Sequence, residues 1–174
     1  MHLRYKENIM SKSTDDLKAA FAGESQANRK YLAFAKKADE EGYSQVARLF
    51  RAAAAAETVH AHNHFRALGE IKSTQENIGA AITGENYEVV TMYPDFIKDA
   101  EGENNKKALA SFRWAWEVEK IHESLYRKAL ETLNAKGETF DYYICPVCGF
   151  THEGTAPDKC PVCNTPGSKF ERIS

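Results

Sequence analysis

One pattern of glutamate and histidine occurs twice in this chain of 174 residues, and it strongly limits the folds that the chain can adopt. Each copy begins with Gly-Glu and is followed 33 or 34 residues later by Glu-x-x-His. An internal repeat of this kind indicates two helical hairpins related by a pseudo-two-fold axis, with their polar residues converging at one place. The members are Glu24, Glu57 and His60 in the first copy and Glu85, Glu119 and His122 in the second.

The region from residue 13 to residue 137 has the start and stop signals of four long helices. Ser73-x-x-Glu76 predicts a capping box at the start of the third helix, and Pro94 predicts a kink inside it. Helices of about 25 to 30 residues measure roughly 40 Å, which suits an all-α four-helix bundle. The predicted bounds are Ser13 to Gly42, Ser44 to Gly69, Ser73 to Gly102 and Asn104 to Gly137.

The Glu-x-x-His pairs suggest a metal centre inside the bundle. Residues three apart on a helix share a face, so each pair presents a carboxylate and an imidazole to one point. One Glu from each of two helices and a Glu-x-x-His from each of the other two can bind two metal ions. Glu88 lies three residues after Glu85 and adds a further carboxylate. Hard oxygen ligands with one imidazole for each metal favour iron or manganese.

Aromatic and histidine residues near these positions are candidates for supporting roles. Tyr31 follows Glu24 by seven residues and Tyr93 follows Glu85 by eight, so each lies about two turns along its helix. We expect the phenols to donate hydrogen bonds to ligating carboxylates, although packing in the core is the simpler interpretation. His64 is a rival ligand to His60, and we expect it one turn beyond the site.

The cysteines are confined to the end of the chain, where they form two Cys-Pro-Val-Cys sequences. Without a signal peptide, this spacing predicts a tetrahedral thiolate site for zinc or iron rather than disulfides. A residue that tolerates positive φ follows each pair, namely Gly149 and Asn164, and lets the backbone turn back toward the sulfurs. A strand over 140–144 leads into this module, which spans residues 140–174. The cysteines are Cys145, Cys148, Cys160 and Cys163.

Composition and charge exclude several classes of protein. With 43% apolar and 28% charged residues, the composition is that of a globular protein. The longest apolar run, Ala52 to Ala56, is too short for a membrane span, and residues 1–12 form an extension without an apolar core, so we predict a cytoplasmic location. A net charge of −2 argues against nucleic acid or an anionic membrane as a partner.

Taken together, these residues resemble the rubrerythrin family from about residue 13 onward. The resemblance implies a ferritin-like di-iron bundle over residues 13–137 and a C-terminal rubredoxin-like domain. It implies a non-haem di-iron peroxidase that reduces hydrogen peroxide to water in defence against oxidative stress. Each chain would hold two non-haem irons and one Fe(Cys)4 centre, with zinc or manganese substitution possible. The electron donor would be a rubredoxin or an NAD(P)H-dependent reductase.

The resemblance also implies a role for each ligand. Glu57 and Glu119 would bridge the two irons, and Glu88 and His60 would be the exchangeable pair, one iron moving from the carboxylate to the imidazole on reduction. A plain ferritin-type ferroxidase pattern would not include Glu88. The remaining ligands would be Glu24 on one iron and Glu85 and His122 on the other.

The linker between the second and third helices predicts an unusual assembly. The implied site needs these helices to run parallel, so the linker must cover about 30 Å from the end of the second helix to the start of the third. Gly69 to Gln75 spans at most about 25 Å when fully extended. Either the third helix begins near Gly79, or the hairpins pair between chains in a domain-swapped homodimer, which we favour. Because the tether over 137–144 is short, we expect the Cys module to dock beside a di-iron site across the dimer interface.

Two other functions fit parts of this sequence. The first is a ferroxidase that oxidises and stores Fe(II) with dioxygen, although storage does not need the Cys module. The second is a binding or regulatory protein in which zinc fills the Cys site and the bundle only mediates interactions. Two Glu-x-x-His pairs in phase with Glu88 favour the peroxidase.

Overall fold

The computed structural model describes residues 11–135, 137 and 139–174. The predicted N-terminal extension therefore lies outside the described residues up to residue 10. Across the described ranges, the chain is mostly helical with a small C-terminal sheet. In order, the elements are α1 (Lys12–Glu40), α2 (Ser44–Ala67), α3 (Thr74–Tyr87), a π-helical segment (Glu88–Met92, the π segment), α4 (Tyr93–Gly102), α5 (Lys106–Thr132), β1 (Tyr142–Ile144), β2 (Thr151–Glu153), a 3-10 turn (Gly167–Lys169) and β3 (Glu171–Ile173).

The first unit of the chain is a hairpin of α1 and α2, which ends before Ser73. Gly42 allows the tight turn between the helices because it adopts a φ of +82°. Phe21 and Phe65 stack at 4.7 Å between ring centroids. The buried side chains are small, so the two helices can approach closely. They are Ala35, Ala38, Ala47, Ala54 and Ala61.

The second unit begins with the predicted capping box. The Ser73 hydroxyl accepts a hydrogen bond from the Glu76 N–H, and the Glu76 carboxylate accepts one from the Ser73 N–H at 3.2 Å. The third helix therefore starts at Thr74, and the alternative start near Gly79 is wrong. At the other end of the helical region, α5 ends at Thr132, short of the predicted Gly137.

Pro94 lies next to a change in helix register, and the predicted kink stays a prediction. It occupies the first turn of α4, and the helix changes register immediately before it. In the π segment, the Tyr93 N–H donates to the Glu88 carbonyl, five residues back instead of four. The third predicted helix is thus helical throughout, with one widened turn between α3 and α4.

The C-terminal module is a small antiparallel sheet with two cysteine knuckles. β1 is central, with β2 and β3 on either side. Both residues predicted to adopt positive φ do so, Gly149 at +85° and Asn164 at +65°. Their N–H groups donate to the carbonyls of Cys145 and Cys160 at 2.9 and 3.0 Å. Each knuckle therefore turns back on its first cysteine, as expected.

The module packs on α5 of its own chain, within the same unit. Val118 of α5 is only 2% exposed and lies in one cluster with Cys145, Phe150 and Cys160. Lys128 of α5 also forms an ion pair with Glu153 of β2. The tether is therefore long enough for docking within one chain, which corrects the expectation that the module must reach across a dimer interface. None of the described helices meets the length and hydropathy needed to cross a membrane.

Candidate metal centres

Glu24, Glu57 and His60 form the first cluster of metal-type ligands. One ligand atom from each residue lies within 4.8 Å of the others. Nδ1 of His60 is 3.0 Å from Oε2 of Glu57, because residues three apart on α2 share a face. The hairpin brings Glu24 of α1 to the same face. The structure therefore brings these three side chains together, and their role as metal ligands stays a prediction.

The carboxylates of Glu24 and Glu57 influence each other's pKa. The interaction between them raises the pKa of Glu24 and lowers that of Glu57. Positive charge on His60 or His64 acts against the shift at Glu24, so His64 lies within electrostatic reach of the cluster. A cation at this position would stabilise the negative charge of both carboxylates.

Asn28 is a residue that the sequence reasoning missed. Its side-chain amide, on α1, donates to the Ala54 carbonyl at 2.7 Å and to the Thr58 hydroxyl at 2.9 Å, both on α2. Asn28 lies one turn from Glu24, and Thr58 is next to Glu57. The amide therefore fixes the register of the two helices beside the ligands, and only knowledge of the hairpin pairing could have identified it.

Glu85, Glu119 and His122 form the second cluster, again with ligand atoms within 4.8 Å of one another. Nδ1 of His122 is 2.6 Å from Oε2 of Glu119 and 4.0 Å from Oε1 of Glu85. Burial and the charge of Glu119 raise the pKa of Glu85 to about 7, and the hydrogen bond that His122 donates to Glu119 raises the pKa of His122. Because these carboxylates are partly buried, a bound cation would stabilise their negative charge better than solvent does.

The other predicted site residues lie near this cluster or in the aromatic packing. Burial and the charge of Glu119 raise the pKa of both Glu88 and Tyr93, so both groups lie within electrostatic reach of Glu119. Tyr93 also packs against two phenylalanines, and Tyr31 packs against Phe34 and Phe50. The predicted hydrogen bonds from the phenols to ligating carboxylates stay predictions.

His122 connects the second cluster to the Cys module. Its Nε2 is 2.9 Å from the Thr151 hydroxyl, which itself donates to the Gly149 carbonyl at 3.1 Å. The hydroxyl therefore accepts from Nε2–H, which leaves Nδ1 facing the carboxylates. Thr151 was missed because it is 29 residues from His122 and the sequence carries no local signal of the contact.

The four cysteines lie together as free thiols, so the structure favours the predicted metal site over disulfides. Two pairs of sulfur atoms are 3.5 Å apart, Cys145 with Cys163 and Cys148 with Cys160. A tetrahedral site with metal–sulfur distances of about 2.3 Å has edges of about 3.8 Å, so the four sulfurs need to move little to hold a metal.

Burial and hydrogen bonding shift the pKa values of three of the cysteine thiols in different directions. Burial raises the pKa of the Cys148 and Cys160 thiols. Burial acts in the same direction at Cys163, but the hydroxyl and the N–H of Thr165 outweigh it and lower its pKa to about 6. The Thr165 hydroxyl is 3.1 Å from this sulfur. Of these three sulfurs, Cys163 is therefore the one favoured as a thiolate, and a bound metal would stabilise the thiolates of Cys148 and Cys160.

These features define a helical metalloprotein with carboxylate and histidine ligands, joined to a rubredoxin-like module. A family model described as Rubrerythrin matches residues 15–130. A second, described as Rubrerythrin, rubredoxin-like domain, matches residues 143–171. The chain belongs to the rubrerythrin family, which includes peroxide-reducing di-iron proteins, and this makes it an oxidoreductase.

Several relatives are similar over nearly their whole length. Nigerythrin of Nitratidesulfovibrio vulgaris is 37% identical, covering 94% of this chain and 88% of that protein. Rubrerythrin of Porphyromonas gingivalis is 38% identical, covering 92% and 90%. The solved structure of nigerythrin in a mixed-valence state has a TM-score of 0.57 at 36% identity, covering 98% of this chain and 91% of that chain. A fully reduced, all-ferrous nigerythrin structure has a TM-score of 0.58 at 35% identity, with the same coverage.

Proposed function

We propose that this protein is a non-haem di-iron peroxidase that reduces hydrogen peroxide to water with electrons delivered through its rubredoxin-like centre. The balanced reaction takes one peroxide, two electrons and two protons to two waters. The observation that supports it best is the contact of His122 with Thr151 of the Cys module, which joins a proposed iron ligand to the proposed electron carrier.

The two clusters supply the ligands that a di-iron centre needs. Bound iron would supply the redox chemistry, since two ferrous ions hold the two electrons that one peroxide takes up. We assign Glu57 and Glu119 as bridging ligands, with Glu88 and His60 as the exchangeable pair. His60 suits exchange because its side chain is 55% exposed, against 18% for Glu57. The remaining ligands are Glu24, Glu85 and His122.

The chain itself positions ligands and balances charge. Thr151 orients the His122 imidazole, and Asn28 holds α1 and α2 in register. The hydrogen-bonded carboxylates of the first cluster can take up or release a proton as the charge of the site changes. The electron route runs from Cys148 along the backbone to Gly149 and across the Thr151 hydroxyl to His122.

Thr151 provides a direct test of this route. Thr151→Val keeps the shape of the side chain but removes the acceptor for Nε2–H, so His122 loses its orienting partner. We expect roughly a tenfold loss in Fe(II) affinity or in peroxide reduction, as is typical when the partner of a ligating histidine is lost. Fe(II) titration and stopped-flow spectra of both centres measure this. Thr151→Ser should restore both properties, and equal losses in the Val and Ser variants would contradict the assignment.

A single turnover without air tests the function itself. The iron-loaded protein is reduced, and stoichiometric hydrogen peroxide or dioxygen is then added while the visible bands of both centres are followed. We expect peroxide to change both spectra at least about tenfold faster than dioxygen does. Faster reaction with dioxygen, with consumption of Fe(II) and mineral formation, would establish the ferroxidase instead. A colourless zinc-filled Cys site with no peroxide chemistry would establish the binding protein.

We further propose that each di-iron site is built from two chains of a domain-swapped homodimer. Glu57 lies ten residues before the end of α2 at Ala67, and Glu85 lies eleven residues after Thr74, where α3 begins. With parallel helices, bringing these ligands level needs a linker of about 31 Å at 1.5 Å per residue. The seven steps from Ala67 to Thr74 span at most about 25 Å.

Exposed apolar side chains of the first hairpin also support pairing between chains. The core between α1 and α2 consists of alanines, while larger apolar side chains remain accessible to solvent. A helical hairpin with such a surface needs a second hairpin to cover it. The exposed residues include Leu32 (41%), Phe34 (48%), Val46 (45%) and Leu49 (66%).

The external electron donor remains part of the proposal. A reduced rubredoxin or an NAD(P)H-dependent reductase fits a chain that carries its own Fe(Cys)4-type module. Zinc or manganese can replace iron without changing the ligand sets, because the same residue types bind these metals. The cytoplasmic location stays a prediction.

A further inference from the structure

The π segment lies directly beside the second ligand cluster. It begins at Glu88, three residues after Glu85, and ends just before Tyr93. A single π turn accommodates one extra residue in a helix, and such turns are frequent at functional sites. An α-helix has the better hydrogen bonds, so this π turn needs a stabilising contact from elsewhere.

The internal repeat identifies the extra residue. Tyr31 follows Glu24 by seven residues, whereas Tyr93 follows Glu85 by eight. Both tyrosines nevertheless belong to equivalent aromatic clusters. In each cluster the tyrosine packs against a phenylalanine three residues later and against a second phenylalanine from the following helix of its hairpin. The clusters are Tyr31, Phe34 and Phe50 in the first unit and Tyr93, Phe96 and Phe112 in the second.

The π segment leaves the Val89 carbonyl without a donor from its own helix. In an α-helix, this oxygen would accept from the Tyr93 N–H, but that group donates to Glu88. In a π-helix, it would accept from residue 94, but Pro94 has no N–H. An unpaired carbonyl inside a protein is costly, so this one needs a partner from elsewhere.

Trp116 of α5 is that partner. Its indole Nε1–H donates to the Val89 carbonyl at 2.8 Å. The ammonium of Lys120 lies 3.3 Å from the centre of the Trp116 ring, a cation–π contact that helps to hold the ring in place. Trp116 lies three residues before Glu119, so the hydrogen bond links the π segment to the helix that carries the second cluster.

We propose that Trp116 is a positioning residue that, together with Pro94, locks the π register and so fixes the orientation of Glu88 relative to Tyr93. A return to the α register would turn one of these two side chains about 100° around the helix relative to the other. The inference rests on the proposed function only in taking Glu88 as an iron ligand.

Two substitutions separate the hydrogen bond from the packing of the ring. Trp116→Phe keeps an aromatic ring but removes the N–H, whereas Trp116→Gln removes the ring but keeps an N–H donor. Trp114→Phe is the matched control, because it makes the same change two residues away on a side chain that is 40% exposed. Circular dichroism establishes that each variant is folded.

The first measurement is amide hydrogen exchange over residues 88–94, which needs no activity. We expect exchange there to rise about fivefold or more in Trp116→Phe, the effect of losing one typical hydrogen bond, and to stay close to wild type in Trp116→Gln and Trp114→Phe. Equal effects of Phe and Gln at position 116 would show a packing role and overturn the proposal. An unchanged Trp116→Phe variant would also overturn it.

The second measurement is the visible and Mössbauer spectrum of the iron-loaded variants. Trp116→Phe should change the signature of the di-iron centre, since Glu88 is displaced, and Trp116→Gln should not. A protein that shows the predicted exchange but reduces no peroxide would contradict the proposed function and leave the π lock standing. A peroxidase whose exchange and spectrum do not respond to Trp116→Phe would contradict the lock alone.

Discussion

A hybrid dimer assembled from two inactive variants is expected to recover peroxide reduction. One variant loses the ligands of the first hairpin through Glu57→Gln and His60→Ala, and the other loses those of the second through Glu119→Gln and His122→Ala. Each variant alone lacks a complete site. In a swapped hybrid, the intact first hairpin of one chain meets the intact second hairpin of the other, which restores one of the two sites.

Differently tagged chains, expressed together and purified through both tags, provide the hybrid directly. We expect about half of the wild-type di-iron content and peroxide activity, because one site of two is complete. If each chain built its own site, both sites of the hybrid would lack half of their ligands and nothing would be recovered. A hybrid with His62→Ala in one chain is the control, since His62 belongs to neither ligand cluster and full activity is expected. A monomer with full di-iron content in light scattering would also contradict the swap.

The Glu-x-x-His pairs of the two clusters were predictable because their geometry is local. On any helix, Glu57 and His60 share a face, and so do Glu119 and His122, whatever the helix packs against. The capping box at Ser73 is equally local. The positive φ of Gly149 followed from the tight turn of a cysteine knuckle. In each case the interacting groups are within a few residues of one another.

The features that were missed depend on contacts between distant parts of the chain. Pro94 correctly marked a disturbance in the third helix, but the π turn beside it was missed, and so was the donor that Trp116, 22 residues away, supplies to Val89. The eight-residue spacing from Glu85 to Tyr93 was the visible sign of the extra residue. Propensity alone cannot distinguish these outcomes, because the deciding hydrogen bond comes from another helix.

The docking of the Cys module was missed for a related reason. The short tether was expected to place the module across a dimer interface, whereas the module packs along α5 of its own chain, at Val118 and Lys128. Val118 fills the gap beside Cys145 and Cys160, and Thr151 meets His122. The short tether therefore favours this contact within the chain. The two proposed redox centres can be adjacent while the di-iron site still draws ligands from two chains.

Replacing iron by zinc in the four-cysteine site alone is expected to stop sustained turnover while leaving one turnover intact. Zinc fits the same tetrahedral thiolates, so the module should stay folded on α5, but Zn²⁺ has no accessible redox change. With a reduced donor, we expect steady peroxide reduction to fall at least about 100-fold, because electrons can no longer pass through the module.

Sustained turnover and a single turnover are measured on the same zinc-substituted sample. The reduced, zinc-substituted protein should still react with one equivalent of peroxide at the wild-type rate, because the ligands on α1, α2, α3 and α5 are untouched. The same protein with iron restored to the cysteines is the control. Sustained turnover at the wild-type rate in the zinc form would show that electrons reach the bundle by another route, and the contact between Thr151 and His122 would then have only a positioning role. Loss of both assays would instead assign the module a structural role in forming the second ligand cluster.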